Sequence, residues 1–120
     1  MSQKHAFVIY DGAGESGRLF HALTHAKQAH ARGDNAEVYF AAEGTQWPGV
    51  LADASHPMHG LFDDMLRAKV VKGACENCAN AFGYSDSARA ACGLIQGSQA
   101  SDGQIDILGL EDTGWRVWLF

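Results

Sequence analysis

Two of the chain's three cysteines, Cys75 and Cys78, lie three residues apart at a point where the sequence changes character. Before them, Val70-Val71-Lys72-Gly73-Ala74 reads as a short apolar strand. After them, Ala79-Asn80-Ala81-Phe82 reads as a helical turn closed by Gly83. A cysteine at such a junction faces backbone N–H groups that the helix leaves unpaired, and the positive end of the helix dipole. Both favour the thiolate, the form that attacks and ligates. Cys-x-x-Cys then allows three chemistries: a redox dithiol, half of a zinc site, or a nucleophile that carries sulfur as a persulfide. The plain structural alternative is a pair of small buried hydrophobes.

The surroundings separate these. Thioredoxin-like motifs follow one early strand–helix pattern and commonly have Trp, Gly, Pro or His around the cysteines, whereas here Glu76-Asn77 stand between them after a third strand. A zinc site needs two more ligands, and Cys92 is the only cysteine left. His21 and His25 share a helix face at i, i+4 but lack the Glu of a zinc-protease helix, and they read as polar positions on a solvated face. No resident metal is expected. Gly12-x-Gly14-x-x-Gly17 follows a strand and precedes a helix, as a dinucleotide fingerprint does, with Glu43 near the place of its acidic partner. The chain's 120 residues leave little room for a dinucleotide and a substrate. A flexible loop is the preferred reading, and no cofactor is expected.

The elements that must hold the cysteines follow from the pattern of apolar residues. Ala6 to Tyr10 is a continuous apolar run, as in a strand buried on both faces. Ser16 is placed to cap a helix from about Gly17 to Arg32, with Leu19, Phe20, Leu23 and Ala26 as its apolar stripe and Gly33 as its stop. Ala36 to Ala41 is a second strand, completing a βαβ unit with parallel strands. Ala42 to Pro57 reads as a long irregular loop. Met58 to Arg67 reads as a helix, Lys69 to Lys72 or Ala74 as the third strand, and Ala88 to Ala91 as a short helix. Cys92 to Gln96 is the fourth strand, Gln104 to Asp112 a helix, and Trp115 to Phe120 a final strand, paired and covered.

One domain spanning residues 1–120 is expected, long enough for a core. With 47% hydrophobic and 19% charged residues the composition is that of a folded chain. The net charge of -5, with few scattered Lys and Arg, argues against a nucleic-acid surface and against a polybasic membrane anchor. No stretch reads as a signal peptide or reaches transmembrane length, so a cytoplasmic location with reduced thiols is expected.

The turn Cys75-Glu76-Asn77-Cys78-Ala79-Asn80-Ala81-Phe82-Gly83 resembles the active-site turn of the DsrE/DsrF-like sulfur-relay proteins. The order around it is similar too: a first strand, an Ala-rich helix ending at Gly33, a second strand leading into Glu43-Gly44, and a closing strand Gly114-Trp115-Arg116-Val117-Trp118-Leu119-Phe120. The resemblance covers nearly the whole chain. It implies a three-layer α/β/α fold with a mostly parallel five-stranded sheet, and homo-oligomers, often trimers or hexamers. It implies that Cys75 accepts persulfide sulfur from a donor protein and passes it to an acceptor, and it matches Cys78 to a second cysteine that only some members have. A non-enzymatic oligomeric binding module using the Ala42 to Pro57 loop and a Cys75/Cys78 dithiol oxidoreductase are the alternatives.

Overall fold

The structure, a computed structural model, describes residues 2–120. Five strands form one sheet: β1 (Lys4–Ile9), β2 (Asn35–Phe40), β3 (Val71–Cys75), β4 (Leu94–Ile95) and β5 (Arg116–Leu119). Their order is β4-β3-β2-β1-β5 and every pairing is parallel. Among the described residues, six helices accompany them: α1 (Ser16–Ala31), α2 (Trp47–Leu51), α3 (His59–Arg67), α4 (Glu76–Phe82), α5 (Ser85–Ala91) and α6 (Ile107–Asp112). The fold is the expected three-layer α/β/α, with a wholly parallel sheet. Among the described residues, no helix is long and apolar enough to cross a membrane.

The strand order explains the two unequal faces. From β1 to β4 the chain steps in one direction across the sheet, and it then returns to place β5 beyond β1. Because crossovers between parallel strands are right-handed, reversing direction moves the connecting helix to the opposite face. One face therefore carries the main core, where Phe7, Ile9, Val38, Phe40 and Ala74 meet Leu19, Leu23 and Ala26 of α1 and Phe62 and Met65 of α3. Each fully buried Leu of α1 contributes about 1.5–3 kcal/mol. The opposite face is covered by α6 and the segment before it, through Ile105, Ile107 and Leu110. It is the thinner layer, and it holds Cys75 and Cys78.

Several boundaries differ from expectation. Helix α1 is preceded by Glu15 as cap residue, with no side-chain capping bond, so Ser16 does not act as the cap. The long segment after β2 is not irregular at its start. Ala42–Gln46 is a 3-10 turn and α2 follows, with Pro48 in its first turn where a missing N–H is harmless. Thr45, Trp47, Pro48 and Leu51 of this segment are buried. Strand β5 is paired only to β1, and Trp118 and Leu119 remain 45% and 56% exposed, so it is an edge and not a covered strand.

The turn between α1 and β2 is tied to the sheet by Asp34. Its carboxylate accepts the Gln3 backbone N–H at 3.0 Å, the Arg32 Nε at 2.7 Å and the His5 ring at 3.1 Å. The Gln3 N–H first, then Arg32 and His5, hold the Asp34 carboxyl down at about 2, against a desolvation that acts the other way. A depressed carboxyl stabilises the fold above its unfolded value near 3.9 and loses that contribution as pH falls through its folded value. Asp34→Asn should therefore lower the melting temperature at neutral pH. The difference from wild type should shrink between about pH 4 and pH 2. Melting curves across that range check it, and a constant difference would contradict it.

Candidate functional site

Cys75 closes β3 and is the residue that caps α4. A register shift precedes it: Val38 pairs with Val71 but Tyr39 with Gly73, leaving Lys72 as an extra residue. Gly73, at φ 147, brings β3 against β4; a Cβ there would meet the Gly93 carbonyl and the Ile95 side chain at 3.0 Å. Past this bulge, Ala74 enters the main core while Cys75 turns to the thinner face among Val8, Ala41 and Ile105. The carboxyl ends of parallel strands are where such sheets place their reactive groups.

The two thiols meet over one amide. The Cys78 Sγ donates to Gln104 Oε1 at 2.9 Å, and the Cys75 Sγ lies 3.8 Å from the same oxygen and 3.9 Å from the Gly103 carbonyl. The Cys75 sulfur in turn accepts the backbone N–H of Cys78 at 3.4 Å. Cys75 is fully buried and Cys78 is half-buried. Burial pushes the Cys78 thiol up, the backbone of Ala42 pulls it back, and its neighbour Cys75 raises it further. Tyr10 stands close by: burial first, then negative charge on Cys78 and Cys75, raises its phenol, so it stays protonated beside the thiols.

Gln104, Gly103, Ala42 and Tyr10 are site residues that the sequence reading did not single out. The segment carrying Gln104 is held down by its own close packing. Gly97 sits against Gly103, where a Cβ would fall 2.0 Å from the Gly103 carbonyl oxygen, and Ser101 Oγ bonds the Gln104 carbonyl at 2.7 Å. The segment therefore forms a cover over Cys75. Gln104→Ala removes the acceptor that both thiols share. A net hydrogen bond of about 1–1.5 kcal/mol corresponds to roughly tenfold in exposure of the sulfur. Iodoacetamide should label Cys75 and Cys78 about that much faster in the variant, followed by peptide mass. Unchanged labelling would mean that Gln104 does not guard the site.

Other candidates are dispersed. Cys92 packs against the main core on the opposite face from Cys75, and burial pushes its thiol up to about 12. Asn80 accepts a hydrogen bond from Ser85 Oγ and does not serve the thiols, while Asn77 lies against Gly103. Glu76 is half-buried. The glycine loop after β1 is filled by the chain itself, for Gln46 Oε1 accepts the Ala13 N–H at 3.1 Å and Glu43 lies 3.2 Å from the place of a Gly12 Cβ. His56 and His59 bond the backbone of Met58 and Leu51, whereas His21 and His25 stack on each other with centroids 5.9 Å apart. Among the described residues, no group of three or more His, Cys, Asp or Glu is placed to hold a metal ion.

No protein-family model matches the chain, and no curated protein matches it.

Proposed function

We propose that this chain is a sulfur-relay protein of the DsrE/DsrF-like kind, in which Cys75 holds sulfur as a persulfide and passes it to a partner thiol. The observation that carries the proposal is the shared Gln104 oxygen, which gathers the Cys75 and Cys78 thiols at the carboxyl end of β3. Burial of Cys75 suits storage, because a persulfide there is shielded from water and reductants until the Gly97–Gln104 cover withdraws.

The chemistry balances without an added oxidant. The Cys75 sulfur, having released its proton, attacks the outer sulfur of a donor persulfide R–S–SH. The donor S–S bond breaks, R–S⁻ leaves and takes up a proton, and Cys75–S–SH remains. A partner thiolate then attacks the outer sulfur, and Cys75 leaves as thiolate. Cys78 opens a side branch. Its thiolate can attack the inner sulfur, forming a Cys75–Cys78 disulfide and releasing hydrosulfide. Because burial keeps Cys78 protonated near neutrality, the branch is slowed and the stored sulfur survives for transfer.

Donor and acceptor proteins are the expected partners, and the cytoplasm is the expected location. A homotrimer or hexamer follows from the same resemblance. Leu108 and Leu119, 67% and 56% exposed, supply apolar surface for a second copy. After exposure to a persulfide donor and removal of excess, cyanide should release about one equivalent of sulfur per chain as thiocyanate. No releasable sulfur would overturn the proposal.

A further inference from the structure

A cavity of about 540 Å³ opens on the main-core face, between α1 and the edge strand β5, and no cysteine lines it. Its walls are aromatic: Trp118 stands 45% exposed, and the Phe7 and Phe120 rings lie 6.3 Å apart. The Trp118 ring is fixed in place. Its indole N–H donates to His5 Nδ1 at 3.1 Å. An indole only donates, so His5 Nδ1 carries no proton and Nε2 donates to Asp34 at 3.1 Å. The ring therefore rests on a buried relay anchored by a carboxylate.

The charge lining this cavity runs against that of the whole chain. The protein carries -5 overall, yet Arg32 and Arg116 line the cavity and, among the described residues, no carboxylate does. Arg116 makes no ion pair among the described residues. Arg32 uses its Nε on Asp34, and no ion pair among the described residues engages its terminal nitrogens. Stacked His21 and His25 stand at the same opening and add further donors. Apolar walls with a few convergent polar groups are the general make-up of a small-molecule site. Guanidinium groups recognise planar oxyanions through paired N–H donors.

We propose that this cavity binds a small aromatic oxyanion, a flat ring bearing a carboxylate or phosphate, with the ring against Trp118 and the anion on Arg116 and Arg32. The site is separated by the sheet from the thiols and stands or falls independently of the sulfur relay. Calorimetric titration with 2-naphthoate, 2-naphthyl phosphate, neutral 2-naphthol and inorganic phosphate tests it. Saturable binding of either naphthyl anion, with 2-naphthol and inorganic phosphate at least tenfold weaker, is expected, and which anion binds tells carboxylate from phosphate. Arg116→Gln, at an exposed strand position, should weaken that binding by roughly tenfold to a hundredfold. Trp118→Phe should keep most of it, and Trp118→Ala should lose it.

No binding of either anion overturns the proposal, as does equal binding of 2-naphthol or indifference to Arg116→Gln. Sedimentation of the Trp118→Ala chain guards against another occupant. If that substitution dissociates an oligomer while no probe binds wild type, the face is a subunit contact and the ligand site is refuted.

Discussion

Replacing Cys75 with serine should slow sulfur loading by a factor on the order of a thousand or more, the scale of loss when a covalent nucleophile is removed. A hydroxyl in the same place ionises far too weakly to attack sulfur near neutral pH. The protein should still fold, since serine is similar in size and Gly103 and Gln104 offer carbonyl acceptors within reach of the position. Cys78→Ser should behave oppositely. Loading would persist, and the persulfide would last longer because the thiol that releases it as hydrosulfide is gone. The pair of variants separates the carrier from its neighbour. If Cys78→Ser abolishes loading and Cys75→Ser spares it, the half-buried thiol is the carrier and the roles assigned here are reversed.

The largest effect on stability should come from Trp47→Ala. Trp47 is 1% exposed, and its indole N–H donates to the Asp11 carbonyl at 2.8 Å, tying α2 to the start of the loop between β1 and α1. Truncating a buried aromatic costs about 3–5 kcal/mol, and the unpaired Asp11 carbonyl adds about 1–3 kcal/mol where water cannot reach it. Against a total stability of roughly 5–15 kcal/mol, this leaves a marginal fold. Denaturant titration of Trp47→Ala and Trp47→Phe checks the account. The phenylalanine variant should lose less, because it keeps one aromatic ring in the core and gives up the five-membered ring with its N–H. A loss below about 1 kcal/mol for alanine would mean that the segment after β2 is not part of the core.

What the sequence displays is local. The unbroken apolar runs of β1 and β2, with an Ala-rich helix stopped by Gly33, sufficed to announce parallel strands. Gly33 and Gly83 do sit at φ 89 and 83 behind α1 and α4, as helix-stopping glycines should. The Cys75/Cys78 junction was legible because residue type and position coincide there. The rest depends on partners distant in sequence. Gln104 reaches Cys78 across 26 residues, and nothing in a polar loop marks which side chain will turn inward. Ala42 to Pro57 read as an irregular loop, because whether a proline such as Pro48 falls in a helix's first turn is not something composition reveals. The final strand read as covered because it is apolar, whereas its position beyond β1 leaves it an edge. Cys92 and Cys75 look alike in sequence, and only the sheet between them makes one inert and the other part of a pair.

The most direct test of the central claim is intact mass after incubation with a persulfide donor, before and after reductant, for wild type and Cys75→Ser. A reductant-sensitive gain of one sulfur atom in wild type, absent in Cys75→Ser and mapped to the Cys75 peptide, is the predicted result. A loss of two hydrogens without any gain of sulfur would contradict it and identify a Cys75–Cys78 redox couple instead. An unchanged mass would remove the relay altogether.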